Sequence, residues 1–127
     1  MRIVIETIPH ATQRYPTVGD WWTDPDGTWQ IRVSNLHQPS AEFLVAVHEL
    51  VEMALCKQHD VDEQAVTDFD SRWEPFGHLN EPGDDLTAPY YHEHQFACGI
   101  ERLVAAQLGI SWPWYAAAVD AAEFQSS

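Results

Sequence analysis

The five residues His48-Glu49-Leu50-Val51-Glu52 put three ionisable side chains inside "PSAEFLVAVHELVEMALCKQHD", one of the most apolar stretches of the chain. At helical pitch, His48 and Glu52 stand one turn apart and point the same way. A histidine and a carboxylate so spaced can ligate one divalent ion from a single helix. Glu49 is then turned by about 100° from His48. That puts it beside the open coordination position, where it can take a proton from water. Such an ion needs a third protein ligand. His94 is the first choice and Glu93 the next, both in "PYYHEHQFACGIERL". The chemistry this implies is metal-assisted hydrolysis, in which the ion lowers the pKa of water to about 7 and Glu49 is the general base. Zinc is the expected ion, and the carboxylate of Glu52 leaves room for manganese, iron or magnesium.

The elements that must position these groups follow from periodicity and punctuation. "RIVIETI" (2–8) is rich in β-branched residues and reads as a strand. "TVGDWWT" and "TWQIRVS" read as two more, joined by "DPDG", a type I turn followed by a left-handed Gly. Trp21 and Trp22, adjacent in a strand, must face opposite sides of the sheet. The spacing predicts helices over about 40–59, 62–74, 89–108 and 112–124, with Ser40 and Asp62 as N-caps and Gly109 ending the third. The architecture expected is α+β: a small antiparallel sheet over about 1–36, then three or four helices over about 39–127, in a single domain.

On the first helix Phe43, Leu44, Val47, Leu50, Val51, Ala54 and Leu55 form the apolar stripe. His48, Glu52 and His59 lie along its flank with Ala41, Val45 and Cys56, which are not solvated-face residues. On the third, Phe96, Ile100, Leu103 and Val104 form the stripe. Glu93 falls on that stripe, and His94 and Glu101 share a flank. Asp70 lies between Val66 and Trp73 on the apolar side of the second helix. A buried carboxylate costs several kcal/mol unless it is paired or binds a cation. Three helices each place one where a core residue belongs, which points to convergence on a shared site. Cys56 and Cys98 read as small core residues.

The chain has 127 residues and a net charge of -14, from 20 acidic residues against six Lys and Arg. That sign excludes a bare nucleic-acid binder. No run of about 18 apolar residues occurs, so no membrane span is expected. Two cysteines without a Cys-x-x-Cys and an N-terminus without a signal pattern make the cytoplasm the expected location.

The stretch resembles the zincin-like metallopeptidase pattern, in the order sheet, His-Glu helix, then a later helix with a third ligand. It departs from the H-E-x-x-H of that pattern at Glu52. The resemblance implies a peptide or small-molecule substrate, with an extended one held along a sheet edge. "IETIPHATQRYPTVGDWW", "EFLVAVHELVEMALC" and "PYYHEHQFACGIERL" also resemble small phage or prophage proteins, which implies the host cytoplasm. Two alternatives stand beside this. One is a non-enzymatic acidic protein that occupies a host protein's nucleic-acid-binding surface, with Glu49 and Glu52 in solvent. The other is a two-metal carboxylate site of nucleotide-pyrophosphohydrolase type, drawing on Glu49, Glu52, Asp70, Glu93 and Glu101.

Overall fold

A computed structural model describes residues 1–124. Strands β1 (Ile3–Ile8), β2 (Gly19–Thr23) and β3 (Trp29–Ser34) are followed by helices α1 (Pro39–Gln58), α2 (Glu63–Arg72), α3 (Tyr91–Gln107) and α4 (Trp112–Phe124). Single 3-10 turns lie at His10–Thr12 and Pro82–Asp84. This is the α+β arrangement of sheet then helices. No described helix is long and apolar enough to cross a membrane.

The β2–β3 hairpin closes as its residues dictate. Gly27 takes φ +88°, and its N–H donates to the Asp24 carbonyl at 2.9 Å. The sheet order is β1-β3-β2. β2 runs antiparallel to β3, with Trp21 opposite Ile31, and β1 runs parallel to it, with Ile5 opposite Ile31. The sheet is therefore mixed. The connection over residues 9–18 carries the chain past one strand position, and the hairpin then returns β3 into the gap, aligned with β1. β1 and β2 are the two edges.

Asp62 caps α2 as expected, accepting from the Gln64 N–H. α1 differs. It starts at Pro39, with Gln38 at the cap position and no side-chain cap bond. Pro is well placed there because the first helical N–H has no partner to lose. Glu42 turns back instead and accepts from the Leu36 N–H at 2.8 Å.

α1 packs on β2 and β3 on one side and on α3 on the other. Leu44, Met53 and Cys56 of α1, with Ile31 and Val33 of β3, are fully buried and form the centre of the core. The helix faces, however, are rotated from the apolar stripes. The buried residues of α1 are Ala41, Leu44, Val45, Ala46, His48, Glu49, Glu52, Met53 and Cys56, and Phe43 is 52% exposed. On α3 the buried line is Glu93, His94, Ala97, Glu101 and Ala105, while Phe96 and Leu103 are 58% and 65% exposed. A three-stranded sheet is too narrow to cover the Phe43–Leu50 flank, which borders an open groove beside Ile5 and Thr7. The ionisable residues occupy the central, inward face instead. Two neighbours in the same sequence stripe thus separate energetically. Leu44→Ala should destabilise by about 2–5 kcal/mol and Phe43→Ala by less than about 1 kcal/mol, measured as the change in urea midpoint at constant slope. Equal losses would contradict this packing.

Candidate metal centre

α1 and α3 cross with their inward polar residues face to face, and three donor atoms meet there. His48 Nε2 lies 3.0 Å from Glu52 Oε2 and 3.2 Å from His94 Nδ1. His94 Nδ1 lies 2.9 Å from the same Glu52 oxygen. The histidine and glutamate one turn apart on α1 are joined by the histidine expected from the later helix. All three side chains are buried.

The outer nitrogens of both rings decide what this triangle is. His48 Nδ1 lies 2.8 Å from Glu101 Oε1, and the other Glu101 oxygen accepts from the Tyr115 hydroxyl of α4. A carboxylate can only accept, so it holds the ring proton on Nδ1 and leaves Nε2 with its lone pair inward. His94 Nε2 lies 3.3 Å from Glu81 Oε2 and 3.3 Å from Asp84 Oδ1, which places its proton outward in the same way. Three lone pairs then converge. They cannot satisfy one another and need protons or a cation between them. Carboxylates behind both histidines are the arrangement that orients metal-binding imidazoles. Two His and one carboxylate is a donor set of zinc hydrolases and, with open positions, of iron(II) sites. Tetrahedral donors at about 2.0–2.2 Å from an ion stand roughly 3.3–3.6 Å apart, close to the spacing seen. The residues present fit a divalent ion.

Without one, protons take its place. Burial opposes a charge on His48, but contacts with Cys98, Glu101 and Glu52 outweigh it and hold the ring well above its ordinary value. His94 is raised likewise, with burial opposed by Asp84, Cys98 and Glu52. Burial would raise Glu52, yet the two imidazoles hold it at about 2. Its second oxygen accepts from the Trp21 indole N–H at 2.9 Å, so both oxygens are engaged.

Glu49 is placed differently. It is 7% exposed, and no hydrogen bond or ion pair reaches its carboxylate among the described residues. One of its oxygens lies within 4.8 Å of ligand atoms on His48 and Glu52. Burial first, and then the charge of Glu52, push it well above the ordinary carboxylate value. Gly19 on β2 makes room for it, since a Cβ there would stand 2.4 Å from Glu49 Oε1. Gly83 does the same for His94, where a Cβ would meet the ring at 2.3 Å.

Glu93 is not brought to the triangle. It turns to the side of α3 and lies 2.7 Å from His59 Nδ1. Asp70 lies apart from it too, accepting from Tyr15 at 3.1 Å and Tyr90 at 2.6 Å. Spacing alone did not identify Trp21, Tyr115, Glu81 or Asp84 as supports. The alternation of Trp21 with Trp22 was a usable signal for the first. Trp22 faces outward under the Arg14 and Arg32 guanidiniums. Cys98, expected in the core, is half-buried, with Sγ 3.5 Å from His94 Nε2. Burial would raise its thiol, but the two histidines lower it.

The centre opens into a cavity of about 680 Å³ between β2, α2, α3, α4 and the loop before α3. Asp70 stands in its α2 wall. Burial pushes that carboxyl up to about 7; the Tyr90 and Tyr15 hydroxyls act against this, and the charges of Glu52 and Asp20 add to it. Family models, curated proteins and solved structures give no match to this chain.

A raised carboxyl stabilises the fold in its protonated form. Its contribution is complete below the ordinary value of 3.8 and is lost as pH rises through about 7. In chelator-treated protein, Asp70→Asn should remove that part of the stability decline between pH 4 and 7, on the order of a few kcal/mol. Denaturant titrations at several pH values measure it. An unchanged slope would contradict the assignment.

Proposed function

We propose that this chain is a metal-dependent hydrolase of zincin-like type acting on a peptide or peptide-like substrate. One ion, zinc first, is held by His48, Glu52 and His94. The observation that carries the reading is the triangle of inward-facing donor atoms, with Glu101 bonded to the outer nitrogen of His48 and the Glu81 and Asp84 carboxylates 3.3 Å from that of His94. When bound there, a divalent ion polarises a carbonyl and brings the pKa of water near 7.

The chain's own residues supply the rest. Glu49, unpaired and beside the ligand atoms, takes a proton from the attacking water onto its carboxylate and returns it to the leaving amine. Burial and the charge of Glu52 raise the Glu49 carboxyl above the ordinary value, the direction that makes a carboxylate a stronger proton acceptor. Glu101 and Tyr115 hold the His48 ring in one tautomer. Glu81 and Asp84 do the same for His94, so neither ligand has to reorient during the reaction.

A peptide substrate is supported by β2. The hydrogen bonds Ser34 N–H to Val18 O and Asp24 N–H to Thr28 O fix which residues of this strand face β3. The alternate set, with Trp21 in the middle, directs its backbone N–H and C=O away from the sheet. The Gly19 carbonyl already accepts from Thr17 Oγ1 and the Thr23 N–H donates to Glu63, so the Trp21 N–H and C=O, beside the cavity, are the groups with which an extended segment would pair next to Glu49.

The acidic-mimic reading expects Glu49 and Glu52 in solvent, whereas both are buried. The two-metal reading needs Glu93 and Asp70 in the cluster, and these are engaged by His59 and by two tyrosines.

Protein purified without added metal should contain about one equivalent of divalent metal, and His48→Ala or Glu52→Gln should remove it. Glu49→Gln should keep the metal and lose roughly 100-fold or more in hydrolysis of a mixed peptide substrate. Metal below about a tenth of an equivalent, with no thermal shift on adding Zn or Mn, would overturn the reading. Unchanged hydrolysis by Glu49→Gln would overturn the role given to that residue.

A further inference from the structure

The walls of the cavity carry one sign of charge. Of the described residues that line it, eleven are Asp or Glu and none is Lys or Arg, although the chain has six such bases. One divalent ion would offset two of these charges, and Arg14, bonded to Asp20 through Nε at 2.7 Å, offsets a third. No Lys or Arg in the walls offsets the remainder. The lining acids come from several elements: Glu49 from α1, Glu63 and Asp70 from α2, Glu74 from the loop after it, Asp120 and Glu123 from α4.

Acidic walls alone describe a solvated surface as well as a site. Glu49 separates the two. It is 7% exposed, it lines the cavity, and nothing among the described residues donates to it. A carboxylate so placed depends on a donor or a cation arriving from the cavity itself. Concave low-dielectric walls of one sign also focus their field inward and raise the local concentration of opposite charge.

We infer that the cavity selects a positively charged substrate: an extended basic peptide with a Lys or Arg side chain entering beside Asp70. The inference rests on the hydrolase reading for the site and names its substrate class. A peptide fits better than a free amine because the Trp21 backbone groups offer strand pairing along the same wall. Tyr15 and Tyr90 hold the Asp70 carboxylate from two sides. With Trp73 in the same wall, they present aromatic surface to an incoming ammonium or guanidinium. A neutral or acidic side chain would meet the same walls without compensation and be rejected.

The test is calorimetry with two blocked pentapeptides, Ala-Ala-Arg-Ala-Ala and the same sequence with citrulline, which keeps the shape of Arg and removes its charge. The protein is taken as purified, with and without chelator, in about 0.15 M salt, where distant surface charges are screened. The Arg peptide should bind at least about tenfold tighter, as a single interior ion pair allows. Asp70→Asn, or Glu74→Gln at the exposed rim, should reduce that preference at least about threefold. Asp68→Asn, on the outer face of α2, should leave it unchanged. Equal or undetectable binding of the two peptides would overturn the inference, as would an equal loss with Asp68→Asn. Retained preference in both cavity variants would also overturn it. Binding in chelator is read without turnover, so a chain that holds no metal would still show the preference. A metal-loaded hydrolase without it would fail only here.

Discussion

A carboxylate inside a protein must be met by donors, protons or a cation, and Glu52 is met on both oxygens. One accepts from the Trp21 indole, and the other lies against His48 and His94 together. This one side chain therefore touches the sheet, its own helix and α3. Removing it would leave two imidazole nitrogens and an indole N–H without their protein partner, each costing about 1–3 kcal/mol where water does not replace it. The orientation of α1 follows from this. The helix turns its ionisable line inward because the partners of that line exist only there, and Phe43 is left at the surface as a result.

The centre also divides labour between two kinds of buried acid. Glu52 and Glu101 are both matched to imidazoles, and the two histidines hold Glu52 ionised. Glu49 is matched to nothing and is pushed toward its neutral form. Two carboxylates three residues apart thus acquire opposite tendencies from their surroundings, and the acid–base role proposed for Glu49 rests on that separation.

Much of this was legible in the chain, and the limits have physical causes. Strands, hairpin turn and helices followed from alternation, from Gly27 and from the Asp62 cap. The pairing of His48 with Glu52 followed from their four-residue spacing, and the third ligand was expected from His94 first and Glu93 next. The width of that stripe did not follow. Phe96 and Leu103 outvote the polar residues in any hydrophobic count, yet the helix is oriented by Glu93, His94 and Glu101, whose partners lie 34 to 53 positions away. Sequence periodicity sees a helix against an imagined apolar core and cannot see a core that is partly ionic. Tyr115 and Trp21 stayed hidden for the same reason. Each reads as an aromatic core residue, and only its polar tip, aimed at a buried carboxylate, sets it apart.

Trp21 carries a consequence for what this position tolerates. Its ring fills the space between β2 and α1, and the same ring ends in the N–H that meets Glu52. A phenylalanine would reproduce the packing but leave the carboxylate oxygen facing hydrocarbon. A tyrosine would bring its polar group along a different axis. The position therefore accepts neither the residue that matches it in hydrophobicity nor the one that matches it in polarity. The strand that frames the cavity is thereby tied through a single ring to the charge state of the helix behind it.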